Sequence, residues 1–305
     1  MMNLQIQVID RYSVSAYDAA IARIYQNKDL QLCKNVSERL VFFSEQFLGK
    51  PYLQGALGEG VNACFDQSPL YRTNAFDCVT FINTVLALAI SNNLSEFRDN
   101  LLRINYYDAE PKYHKRFHFM SVDWNLQNAK HKLVNDITTD ICDPSDAHIY
   151  EVAVAQIDRP NWMRHRSFSD VKLLESISEE VAGKLLNKLH ALSSHLRSEK
   201  SELPYLPFTR LFNDKEPNQA IFAEIPHGSV IEIVRPNWHL REKIGTNMNV
   251  SHVGFALRLN NDLIFRQASL QEKRVVDMPL VDYLRNVCFP ISTIKGINVQ
   301  KVLAG

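Results

Sequence analysis

Cys78 lies in the run F-D-C-V-T-F, at the head of a strongly apolar stretch that ends near Ile90. That stretch predicts a buried helix with Asn74 and Asp77 as cap residues, which puts the thiol on the first turn. Unsatisfied N–H groups and the macrodipole there favour a thiolate and offer donors to a developing oxyanion. A cysteine so placed also suits plain packing in a core helix, and the residue alone does not separate the two readings. His252, far downstream in N-V-S-H-V-G-F-A-L, opens a strand-like segment. A thiol and an imidazole remote in sequence and adjacent in space are what a cysteine hydrolase needs. The ring takes the thiol proton and returns it to the leaving amine. Gly254 permits close approach of another backbone or of a substrate. A third group has to orient the imidazole, and Gln267 in L-I-F-R-Q-A-S stands on the next strand-like segment. With those strands paired, its amide oxygen can face the ring. On spacing alone, Gln267 reads better as a solvated polar residue at a sheet edge.

The elements that must position these groups follow from periodicity. Residues 14–48 predict two helices, the second (37–48) opened by the cap sequence S-E-R-L. A Gly-rich loop ending at Gly60 precedes the apolar helix 78–90. Between residues 92 and 226 the pattern is mixed. It holds an aromatic and His-rich run (106–124), a strand around 149–157, an amphipathic helix over 171–196 and a loop over 204–217. Strands follow at 229–234, 252–259, 263–268 and 291–302, with N-N-D as a hairpin turn. A helix bearing Cys78, then an antiparallel sheet bearing His252, is an α+β arrangement.

Composition narrows the class. The 305 residues are 46% hydrophobic and 22% charged, with 34 basic and 34 acidic side chains. That leaves room for a large core and gives no electrostatic footprint for nucleic acid or an anionic membrane surface. No apolar stretch is long enough to span a bilayer, and the first residues lack an apolar signal-peptide region. The expected location is then the cytoplasm, or the bacterial periplasm or cell envelope if a leader was removed. Of five cysteines, none forms a close metal or redox pair; an odd count leaves one thiol free. The other four (Cys33, Cys64, Cys142, Cys288) read as buried inert thiols, with up to two disulfides open. His114 and His118 are four apart, but no third ligand accompanies them and no metal is expected. The G-x-x-G-x-G of residues 55–60 lacks the flanking strand and helix of a dinucleotide site, so no cofactor is expected. Ser251 lacks the G-x-S-x-G context of a serine hydrolase. Arg116, His118, Asp123 and Trp124 suit a sugar- or carboxylate-binding wall, with Trp124 as stacking platform and Arg116 as anion clamp. Packing plus surface charge explains any one of them equally well.

The joint order of the runs G-K-P-Y-L-Q-G, F-D-C-V-T-F, I-P-H-G-S-V-I and S-H-V-G-F-A-L resembles the NlpC-type papain-like cell-wall hydrolases. More narrowly, the chain is similar to their N-acetylmuramoyl-L-alanine amidase-like branch. The supporting runs are L-G-E-G, D-Q-S-P-L-Y-R-T-N, V-T-F-I-N-T-V-L-A-L-A, R-F-H-F-M-S-V-D-W, V-R-P-N-W and Q-A-S. These landmarks extend from about residue 37 to residue 284. The resemblance implies a papain-like NlpC-type core, with the nucleophile at the N-terminus of a central helix packed on an antiparallel sheet, and helical elaborations. It implies a single catalytic domain over 1–305, its core roughly 37–90 and 220–302 and its substrate wall roughly 91–219. Cys78 would be nucleophile and His252 base, Tyr52 would line the site near the oxyanion, and Asp77 and Thr80 would face the substrate peptide. The branch usually carries His where Gln267 stands; a glutamine can hold an imidazole but cannot share its charge. The implied reaction is hydrolysis of the bond between N-acetylmuramic acid and L-Ala, with 1,6-anhydro-muropeptides preferred. Two rivals remain: a stem-peptide endopeptidase, whose relatives usually carry D-C-S where this chain has D-C-V, and a non-catalytic peptidoglycan-binding module. Oligomeric state is not fixed by any of this.

Overall fold

The structure is a computed structural model, and it describes residues 7–8, 14–143, 145, 147–214 and 216–303. Two helices come first, α1 (Val14–Tyr25) and α2 (Val36–Glu45). The cap of α2 is Asn35, whose side chain accepts from the Glu38 amide while Glu38 reaches back to the Lys34 amide at 2.7 Å. That reciprocal pair starts the helix before the predicted cap at Ser37, whose hydroxyl instead donates to the His227 carbonyl at 2.9 Å. The apolar run forms α3 (Cys78–Ala89), with Asp77 as its cap. Phe81, Ile82, Val85, Leu86 and Leu88 on it are fully buried. Their burial contributes on the order of 10 kcal/mol before the entropy of ordering is subtracted. A fourth helix, α4 (Leu94–Asn105), packs beside it.

These helices cover one face of an eight-stranded sheet. In chain order its strands are β1 (Val134–Asp136), β2 (Glu151–Ile157), β3 (Glu199–Pro207), β4 (Ser229–Trp238), β5 (Met248–Leu259), β6 (Asp262–Ser269), β7 (Arg274–Pro279) and β8 (Gly296–Val302). The spatial order is β7-β6-β5-β4-β8-β3-β2, with β1 also on β8, and every pairing is antiparallel. Side chains alternate accordingly. Val253, Phe255 and Leu257 of β5 meet α3, while Ala256 and Phe265 point to a second core with Phe222, Leu280 and Leu284. A mixed α/β fold with helices on an antiparallel sheet results, as the strand pattern predicts. The β5–β6 hairpin turns on Asn260 and Asn261, both at positive φ (50° and 73°), with Leu259 opposite Asp262. Asparagine tolerates that conformation, so N-N marks the turn in the sequence. Gly228, at φ 86°, opens β4; a Cβ there would lie 2.8 Å from Ser37 Oγ.

Three predicted elements differ, and the simplest case is the strand predicted over 291–302, which begins only at Gly296. The amphipathic helix over 171–196 is only Glu179–Ala191, because Ser178 caps it and Glu179 and Glu180 fill its first turn. Leu173 and Ile177, upstream of that cap, serve a third core with Trp162 and Leu189 from non-helical chain. The predicted loop 204–217 holds the end of β3, a short helix Phe208–Leu211 and a pair of two-residue strands. Pro204 joins the sheet through its carbonyl, which accepts from Asn298 Nδ2 at 2.9 Å. Among the described residues no helix is long and apolar enough to cross a membrane.

Candidate active site

β5 and β6 are paired from Leu259–Asp262 to Phe255–Arg266, and there the ladder ends. β6 continues on β7 as far as Ser269–Arg274, so the two strands part. Gly254 stands at the fork: a Cβ on it would meet the Phe265 ring at 2.6 Å and the Arg266 carbonyl oxygen at 2.8 Å. Beyond the fork β5 has no strand partner on that side among the described residues, and the N-terminus of α3 packs against it. The Val253 N–H, released from the ladder, donates to the Cys78 thiol. His252, the preceding residue, spans the parted strands: its Nε2 lies 2.5 Å from Gln267 Oε1. A carbonyl oxygen only accepts, so Nε2 carries the proton and Nδ1 keeps its lone pair. The ring packs edge-on against Phe265, centroids 6.0 Å apart, and is tilted against Tyr283 at 6.2 Å. Thus His252 is paired with Gln267, and Cys78 meets the backbone of the residue that follows His252.

Electrostatics at the junction depart from the local expectation. Burial pushes the Cys78 thiol up to about 12, Asp77 adds to the rise, and the amides of Val253, Val79 and Cys78 itself pull the other way and lose. Desolvation therefore outweighs the helix terminus, and the resting group is a thiol rather than the predicted thiolate. Burial also brings His252 down to about 4, against a smaller opposing contribution from Gln267. The resting pair is neutral on both sides. Tyr52 is fixed nearby by a strand-like bridge to Phe76 and by its backbone N–H, which donates to the Lys273 carbonyl at 2.8 Å. Burial raises its phenol well above the ordinary value, with Cys78 and Asp77 adding to it, so it is a neutral donor. A cleft of about 260 Å³ opens beside the imidazole, its lining including His252, Gln267, Ser269, Leu270, Tyr283 and Val287.

Other predicted site residues have different work. Asp77 and Thr80 form a capping box: Thr80 N donates to Asp77 Oδ1 at 2.8 Å and Asp77 N to Thr80 Oγ1 at 2.9 Å. The second Asp77 oxygen accepts from the Ala56 amide at 3.2 Å, tying the Gly-rich loop to the helix start. Both side chains therefore serve the helix start, and both remain partly exposed. The wall 116–124 is likewise turned inward. Trp124 is only 1% exposed, and its indole N–H donates to Asn83 Oδ1 on α3 at 2.7 Å, so it is no stacking platform. Asp123 is fully buried, accepting from Tyr107, the Phe119 amide and Arg159. His118 packs tilted against Trp162, ring centroids 4.3 Å apart, and hydrogen-bonds the Tyr113 carbonyl; burial, helped by Arg116, holds it neutral. Arg116 is clamped between Glu59 and Asp66. Burial opposes its charge, but those carboxylates outweigh it and hold the guanidinium firmly protonated. Among the described residues all five cysteines are free; Cys288 is buried as expected, Cys64 is exposed, and Cys33 and Cys142 are partly so.

A prediction separates these roles. Arg116→Gln leaves Glu59 and Asp66 buried without their main counter-charge and should cost about 3–5 kcal/mol. Chemical denaturation checks this, and KM of the folded fraction should stay unchanged; a raised KM with unchanged stability would restore the anion-clamp reading.

The sequence does not single out Tyr283 or the Val253 amide, since only the tertiary fork brings them in. A family profile described as N-acetylmuramoyl-L-alanine amidase-like matches residues 42–291. A crystal structure of a Legionella pneumophila protein, of a family designated DUF1460, is 41% identical and superposes with a TM-score of 0.91 over 95% of this chain and 97% of that one. An N-acetylmuramoyl-L-alanine amidase from Bacteroides uniformis, 22% identical, superposes with a TM-score of 0.59 over 88% of this chain and 99% of its own. At that identity the likeness shows the fold. No curated protein sequence matches the chain.

Proposed function

The chain belongs to the N-acetylmuramoyl-L-alanine amidase-like family, and from that premise we propose that it is a cysteine amidase of peptidoglycan fragments, built on a papain-like NlpC-type core. The observation that carries the reading is the strand fork, where one backbone amide meets the Cys78 thiol and the neighbouring imidazole is held by Gln267. In the proposed reaction His252 Nδ1 takes the thiol proton as sulfur attacks the lactyl carbonyl carbon. The oxyanion draws on N–H donors at the start of α3 and on the neutral Tyr52 hydroxyl. Collapse expels the L-Ala amine, which receives the proton from His252, and leaves a thioester on Cys78. Water, deprotonated by the same imidazole, then releases the lactyl sugar. Burial keeps the pair neutral between turnovers, so charge separates only when substrate supplies an acceptor for it. Gln267 orients the ring through the whole cycle without taking charge.

The preference for 1,6-anhydro-muropeptides, the reading of residues 1–305 as one catalytic domain, and action in the cell envelope rest on the resemblance. Digestion of a defined muropeptide with mass analysis of the products tests the function. Free lactyl sugar and an intact stem peptide are expected. A released dipeptide would assign the stem-peptide endopeptidase instead, and binding without turnover would assign the non-catalytic module.

A further inference from the structure

β4 and β5 are in register from Ser229–Ala256 to Ile233–His252, and past that pair the ladder slips twice. Val234 pairs with Val250, and the next partners are Trp238 and Met248. Arg235, Pro236 and Asn237 are thereby thrown out of the sheet immediately beyond the cross-strand neighbour of His252. Bulges of this kind bend a strand and re-aim its side chains, often beside active sites. The excursion has a fixed shape. Asn237 sits in the left-handed region at φ 46°. Its amide donates to Asn249 Oδ1 at 2.9 Å, and its side-chain oxygen accepts from Asn247 Nδ2 at 2.9 Å.

On this platform the Arg235 guanidinium lies 4.1 Å from the centroid of the Trp238 ring. Arg116, Arg159 and Arg266 are each committed to carboxylates: Glu59 and Asp66, Asp123 and Glu199, and Asp277. Arg235 has no such carboxylate among the described residues, and its buried Nε has no hydrogen-bond partner. Burial slightly lowers its pKa, with no nearby anion to raise it. An arginine held rigid against an aromatic face, its fork free of internal anions, is prepared for an external one. Arg235 stands two residues from Ile233, about 7 Å along an extended strand. It therefore lies on the strand that flanks the proposed base, just beyond the residue paired with His252.

We propose that Arg235, stacked on Trp238, is the subsite for a free carboxylate of the substrate's peptide portion. It fills the place that Arg116 and Trp124, being internal, leave open. The identity of the ligand rests on the amidase reading: the peptide leaving from a muropeptide carries D-Glu, whose free carboxylate matches the planar fork bidentately. The subsite fixes the peptide on the leaving-group side and acts on binding, not on bond cleavage.

The experiment compares the full chain on two substrates, a muropeptide with a free D-Glu carboxylate and the same fragment with that group as a primary amide. The wild-type protein should show a KM about tenfold or more lower for the acid, with kcat nearly equal. Arg235→Gln should raise KM for the acid to that of the amide and leave the amide unaffected; Arg235→Lys should fall between. Calorimetric binding of both fragments to a Cys78→Ala protein should repeat the same ratios without turnover. An equal affinity of the wild-type protein for acid and amide, or an acid preference surviving in Arg235→Gln, overturns the subsite. Products other than lactyl sugar would overturn the amidase reading alone, since the binding ratio still decides Arg235.

Discussion

Cys78→Ala should abolish muropeptide hydrolysis, with kcat falling by on the order of 10⁴ or more, while the protein still binds its substrate. The expected size follows from what is removed. Without the thiol no covalent intermediate forms, and what remains is positioning and the oxyanion donors, which alone supply a small part of such catalysis. The fold should survive. The helix is held by its capping box and by apolar residues from Phe81 onward, neither of which involves the sulfur. Three backbone amides directed at the sulfur lose a weak acceptor, so a modest fall in thermal midpoint of a few degrees is expected. Product chromatography and calorimetry on the same preparation check both halves. Residual activity within tenfold of wild type would remove Cys78 from the mechanism.

His252→Ala should cost nearly as much in kcat, on the order of 10³-fold or more, since neither proton transfer has another carrier. The pH profile gives the sharper test. An imidazole brought down to about 4 by burial stays unprotonated, and hence competent as a base, down to that pH. The thiol, pushed up to about 12, does not titrate on the neutral side either. kcat/KM should therefore be flat from about pH 5 to 9, with an acid limb near 4, where a solvated histidine would place it near 6.5. The stability consequence has a definite sign. With the folded pKa below the unfolded value, the unfolded chain binds the proton first, so stability falls as pH drops from about 6.5 toward 4. Gln267→Ala should release the ring and cost about 10- to 100-fold in kcat. It should also move the acid limb, which loss of packing alone would not. An acid limb at 6.5 in the wild-type protein would contradict the buried neutral pair.

Local features of the site were legible in the sequence, and features set by tertiary packing were not. Asp77 and the apolar run after Cys78 announce a capped buried helix, and the alternation from Ser229 onward announces strands, because both signals lie within a few residues of where they act. Asn260–Asn261 announces the hairpin for the same reason. The state of the thiol is not legible in the sequence, because the helix terminus is a local property whereas the desolvation that opposes it comes from tertiary packing. Arg116, Asp123 and Trp124 read as a binding wall because residue type does not reveal a partner. Their partners, Glu59, Asp66, Arg159 and Asn83, lie far off in the chain. Arg235 and Trp238 stand in the sequence only as part of the run V-R-P-N-W, because their role depends on a bulge and on the absence of a nearby carboxylate among the described residues.

The central claim, a thioester on Cys78 formed from the sugar-bearing half of the substrate, is open to one direct measurement. Wild-type protein mixed with excess muropeptide, quenched in acid within milliseconds and digested, should yield a Cys78 peptide heavier by the lactyl-sugar acyl group, and the adduct should vanish in Cys78→Ala. Turnover to lactyl sugar without that adduct under any quench time, and undiminished in Cys78→Ala, would contradict the account.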